Sequence, residues 1–105
     1  MEIHETSIFH RRVGGLLTEA EYQQFLAELS RQPDRGVVIR GSGGIRKVRC
    51  AAKGHGKSGG ARVIYYWAVS SEEILLLFIY AKNEQDDLSK EQLRRLRRIV
   101  EEEYP

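Results

Sequence analysis

At 105 residues, 41% hydrophobic and 30% charged with a net charge of +2, the chain has material for a single domain, residues 1–105, with one modest core. No apolar stretch approaches the roughly 18 to 20 residues that cross a bilayer, and Met1 to Gly14 carries charges throughout, unlike a secretory leader. The lone Cys50 excludes an internal disulfide framework and suits a reducing cytosol. With His4, His10 and His55 it forms no zinc-ligand spacing, so no metal or other cofactor is expected.

In chain order, Ile3 to Glu5 reads as a short opening strand. Thr6 or Ser7 caps a short helix through Ile8, Phe9 and Val13, which Gly14-Gly15 ends. Thr18 and Glu21 form a capping box, and Tyr22, Phe25, Leu26 and Leu29 follow at helical spacing to about Gln32, before Pro33. A strand is expected at Val37 to Arg40, then a loop over Gly41-Ser42-Gly43-Gly44. Three stronger strands follow at Ile45 to Ala52, Arg62 to Val69 and Ile74 to Tyr80, the last two joined as a hairpin through Ser70 to Glu73. The run ILLLFIY is too apolar for a strand with one wet face and predicts a central strand with helices over one side. Ser89 and Gln92 form a second capping box. The terminal helix carries Leu93, Leu96 and Val100 as a stripe, with Arg94, Arg95, Arg97 and Arg98 beside it.

Two helices, an antiparallel sheet and a final helix describe an α+β domain. The helix pair should bury Phe25, Leu26, Leu29, the leucines of the last strand, and Ile64 or its neighbours.

Charge is strongly segregated along this order. Between Asp34 and Glu72 there is no acidic residue, and Arg35, Arg40, Arg46, Lys47, Arg49, Lys53, Lys57 and Arg62 give that stretch +8; the remainder of the chain carries −6. A solvated basic face is the plain explanation, but so concentrated a positive field favours a polyanionic partner, most commonly a phosphate backbone.

Within the basic stretch, Lys53-Gly54-His55-Gly56-Lys57-Ser58-Gly59-Gly60 ends like a nucleotide-binding P-loop at Gly56-Lys57-Ser58. Ala51 stands where the first glycine of that motif belongs, and the segment leads into a strand where a P-loop leads into a helix. The nucleoside-triphosphate reading is therefore rejected. Glycines that admit the backbone close to a polyanion, with lysines that neutralise it, suit a polyanionic partner better; an idle surface hairpin tip is the alternative.

The series GSGGIRKVRCAAKGHGKSGGARVIYYW, followed by IYAKNEQDDLSKEQL, resembles the HigB-type branch of the RelE/ParE toxin superfamily over residues 41 to 97. The pattern there is a Gly-Gly-Ile-Arg-Lys strand, a Lys-Gly-x-Gly-Lys-x-Gly-Gly loop, an Arg-x-Ile-Tyr-Tyr strand, and Ile-Tyr-x-Lys-Asn-Glu before a terminal helix. The resemblance implies a RelE-like fold: two N-terminal helices on a twisted, mainly antiparallel sheet of about four strands, plus a C-terminal helix. It also implies ribosome-dependent cleavage of mRNA in the cytoplasm without cofactor or membrane. A cognate antitoxin, expected to be a helix-turn-helix protein, would neutralise the toxin and be its indirect route to DNA.

By motif position, the resemblance assigns Arg62 to clamp the scissile phosphate. Lys53 and Lys57 become general base and phosphate stabiliser, and Lys82 a general acid or transition-state stabiliser. Tyr80 is expected to stack on a base. Arg40, Arg46, Lys47 and Arg49 are expected to track RNA by charge, and His55 joins the RNA-binding set where a lysine is usual. The segment after Lys82 reads NEQDDL and lacks a tyrosine that some relatives carry; only Tyr104 lies beyond. Tyr65, Tyr66 and Trp67 are expected to pack within the sheet, and His4 and His10 to be incidental. An odd number of residues in the hairpin puts Arg62 opposite Tyr80 or Lys82 on the same face, whereas an even number opposes it to Ala81. A gyrase-inhibiting toxin of the ParE kind and a non-catalytic RNA-binding module are the competing readings.

Overall fold

A computed structural model describes residues 1–52 and 60–105. Strand β1 (Glu2–Glu5) leads into helices α1 (Ser7–Val13) and α2 (Glu19–Arg31). Strands β2 (Val37–Val38), β3 (Ile45–Cys50), β4 (Ala61–Ala68) and β5 (Glu73–Ala81) follow, and helix α3 (Lys90–Glu103) closes the order. The sheet runs β1-β5-β4-β3-β2, antiparallel throughout except for the parallel pair β1 and β5.

Local chemistry starts each helix where the sequence predicts. The Thr6 hydroxyl accepts from the Phe9 N–H, and complete capping boxes form at Thr18/Glu21 and Ser89/Gln92. At the edges, β1 stands where an opening strand was expected, while β2 departs from the expectation. Among the described residues the sheet has five strands, and β2 stops after Val38 although a strand to Arg40 was expected. The Ser42 hydroxyl donates to the Ile39 carbonyl and accepts the Ile45 N–H at 2.9 Å, turning the chain before the strand can lengthen.

The apolar run of β5 does lie centrally, between β1 and β4. Helices, however, cover both of its faces. Phe9, Leu17, Phe25 and Leu29 of the α1–α2 side pack with Val48, Val63, Tyr65, Leu76 and Ile79. On the other side Leu96 and Val100 of α3 pack with Ile45, Ile64, Leu75, Leu77 and Tyr80. Ile64 thus belongs to the α3 side, while its neighbours Val63 and Tyr65 meet the helix pair. A bulge between Ile64 and Tyr65 skips Leu77 in the pairing, so that Leu77 and Phe78 both join the α3 side. The expected hairpin joins β4 to β5, and its connection is a 3-10 turn at Val69–Ser71 followed by Glu72 at φ 53°.

Tyr65, Tyr66 and Trp67 pack within the sheet. Tyr65 is fully buried, and its hydroxyl accepts the Gly36 N–H at 2.8 Å and donates to the Pro33 carbonyl at 2.7 Å. A side chain at Gly36 would stand 2.8 Å from the Tyr65 ring, so the absence of a Cβ there permits this bond.

Candidate functional site

Strand pairing settles which cations share a surface. Arg49 pairs with Arg62, and Arg62 pairs with Tyr80, so three adjacent strands present one row on the α3 side of the sheet. The hairpin loop holds four residues, Val69 to Glu72, an even number, and it is the bulge between Ile64 and Tyr65 that shifts the register so that Arg62 faces Tyr80. Ala61 pairs with Ala81, and one step further the Lys82 N–H donates to the Gly60 carbonyl at 3.1 Å. Gly60 sits at φ 71°, where an added Cβ would lie 2.6 Å from the Cys50 carbonyl oxygen, so only glycine turns the chain there.

The members of the row differ in exposure. Arg62 is half-buried and donates from Nη1 to the Ala61 carbonyl at 3.3 Å. Lys82 is exposed. Tyr80 is fully buried, which corrects the expectation that its ring stacks on a base: the apolar surroundings on the α3 side cover both of its faces. What it brings to the row is a buried hydroxyl with no hydrogen-bond partner among the described residues. Burial raises the pKa of that hydroxyl, the Asp87 carboxylate adds to the rise, and the Arg62 guanidinium opposes it.

Around the row the predicted cations divide. Lys47, two residues before Arg49 on β3, shares its face and pairs with Asp87 at 3.1 Å. Burial alone would raise the Asp87 carboxyl, but the Leu88 N–H and Lys47 outweigh it and hold it below the usual range. Beyond Lys47 no strand among the described residues pairs with the outer edge of β3. Arg49 is exposed at this edge, where it also lines a pocket of about 250 Å³ with Glu21, Glu28, Arg35 and Cys50. Arg46 lies on the opposite face, its guanidinium donating to the Asp34 and Gly36 carbonyls and standing 6.0 Å from the Trp67 ring centroid. Arg46 therefore stands on the face opposite Arg49 and Arg62. Arg40 is exposed between β2 and β3. Lys53, His55 and Lys57 lie outside the described residues.

Two features away from the row bear on chemistry. Tyr104 donates to Glu73, at the far end of β5 from Lys82, and rests 5.4 Å from the Tyr66 ring, so it does not supply the tyrosine missing after Lys82. Burial foremost, then Glu73, pushes its hydroxyl up to about 12. Glu2, His4 and Glu73 form a group of metal-ligand composition among the described residues, with the His4 Nε2 3.3 Å from Glu2 and 3.5 Å from Glu73. It too lies at the start of β5.

Sequence reasoning missed Asp87, whose partner Lys47 is 40 residues away in sequence. It also missed Glu84 and Arg12, a pair 72 residues apart that fixes the turn after β5. No local motif marks either pair.

Comparison with known proteins agrees with this architecture. A double arginine-to-alanine variant of the E. coli toxin RelE, solved in the free state, superposes with a TM-score of 0.59 at 13% sequence identity, covering 81% of this chain and 86% of that one. At that identity the likeness speaks for the fold. Residues 3–103 also match the family model described as the RelE toxin of the RelE/RelB toxin-antitoxin system. Matched over nearly its whole length and sharing that fold, the chain belongs to the RelE toxin family.

Proposed function

We propose that the chain is a toxin of the HigB-type branch, a metal-independent endoribonuclease that cuts mRNA on translating ribosomes in the cytoplasm. A cognate antitoxin of the helix-turn-helix kind would hold it inactive. The observation that carries this reading is the row Arg49–Arg62–Tyr80 with Lys82 one step beyond, cations and a hydroxyl brought to one end of the sheet by strand register.

Cleavage without a metal uses the ribose 2′-hydroxyl as nucleophile on the adjacent phosphate. The hydroxyl loses its proton to a general base, the O–P bond to the 5′-oxygen breaks, and a general acid protonates that oxygen, leaving a 2′,3′-cyclic phosphate. Between these events the phosphorane carries extra negative charge that fixed cations stabilise. In this reading Arg62 clamps the phosphate through its planar guanidinium. Lys53 and Lys57 act as base and phosphate stabiliser. Lys82 serves the leaving oxygen. Arg40, Lys47, Arg49 and His55 hold the RNA backbone by charge.

Purified protein added to a reconstituted translation reaction tests this directly. The expected outcome is transcript cleavage within translated codons, dependent on ribosomes. Intact transcript with stalled gyrase favours a gyrase poison, and RNA binding without cleavage reduces the protein to a binding module.

A further inference from the structure

Strand β1 covers the outer edge of β5 only as far as Leu76, which pairs with Glu5. Helix α1 and its cap take over from there. The Thr6 hydroxyl donates to the Leu77 carbonyl at 2.8 Å, and Arg12 Nε donates to the Ile79 carbonyl at 2.7 Å. The rest of the Arg12 side chain reaches past the strand end. Nη2 lies 2.6 Å from each oxygen of the Glu84 carboxylate, and the guanidinium stands 4.9 Å from the Phe78 ring centroid. Glu84 in turn accepts the Ala81 N–H at 3.1 Å, while the backbone N–H groups of Glu84 and Gln85 donate to the Ala81 carbonyl. Lys82 sits inside this turn. Farther along, the Gln85 side chain donates to the Gln92 side chain of α3 at 2.9 Å, so the segment is tied on that side too.

A salt bridge as exposed as this one, with Arg12 31% and Glu84 40% accessible, adds little to global stability. Its charge-assisted, two-oxygen geometry instead confers direction. Resting on the ribonuclease reading, we infer that Arg12 is a positioning residue: through Glu84 it sets where Lys82 stands relative to Arg62, without touching the substrate. The chemistry requires such a device, because a misplacement of an ångström at a reacting centre costs up to about 100-fold in rate.

The test measures kcat and KM of ribosome-programmed cleavage for Arg12→Gln, Arg12→Lys and Glu84→Gln, with Arg11→Gln on the exposed side of α1 as control. Arg12→Gln should lower kcat about 10- to 100-fold with KM unchanged. Arg12→Lys should rescue little, since an ammonium cannot reach Ile79 and Glu84 together. Glu84→Gln should reproduce the loss, and the double variant should be no worse than either single one. Hydrogen exchange gives a readout independent of activity: in Arg12→Gln the Ala81 and Lys82 amides should exchange faster, while those of Val63 and Ile64 keep their protection. Unchanged kcat in Arg12→Gln, or exchange accelerated across the whole sheet, overturns the positioning role. Wild-type protein that cleaves nothing overturns the nuclease reading, and the role of Arg12 with it.

Discussion

Arg62 has Arg49 on one side and Tyr80 on the other because three strands happen to be in phase. A shift of one residue in any pairing would turn one of these side chains to the opposite face. Nearby, Asp87 answers Lys47. A carboxyl held below its ordinary range contributes stability above the unfolded value and loses it as pH falls through the folded one. In Lys47→Met, carbon-detected titration should therefore find the Asp87 midpoint raised toward the ordinary range; an unmoved midpoint refutes the pairing. Tyr65 offers a second check. Replacing it by Phe strands the buried Gly36 N–H and one acceptor, and urea denaturation should record a loss of about 1–3 kcal/mol. The residue types of the candidate site were legible in the sequence, because the basic stretch and its glycines are unusual. The register was not, because it is set by the bulge between Ile64 and Tyr65, which no local motif marks. Nor was the burial of Tyr80, which follows from α3 lying over its face.

At the scale of elements, legibility followed how much of an element's stability is local. Helix starts are written in capping residues that act within four positions, and all three appeared where expected. Strands β1 and β2 lie at the sheet's two edges with few buried side chains, so periodicity scarcely marks them. The stripe Leu93, Leu96 and Val100 announces that α3 buries something but is silent on which face of the sheet receives it. Leu96 is 4% exposed against Ile64, Leu77 and Tyr80. Leu96→Ala should thus destabilise the fold by about 2–4 kcal/mol in equilibrium unfolding. A loss near zero would mean that α3 does not form part of the core.

For the molecule as a whole, two functions of charge are separable. A stretch of +8 can attract RNA from many positions at once, and that attraction depends on number and on salt more than on placement. The proposed cleavage depends on placement, and the sheet brings only some of those cations to the row. Arg46 is engaged on the other face, and Lys47 is paired with Asp87. Replacing one arginine should consequently leave affinity nearly intact while removing chemistry. The direct measurement is single-turnover cleavage of ribosome-bound mRNA by Arg62→Ala, alongside its ribosome affinity and its unfolding midpoint. Cleavage should fall about 100-fold or more with folding and binding close to wild type. An Arg62→Ala protein that cuts at the wild-type rate would contradict the account at its centre.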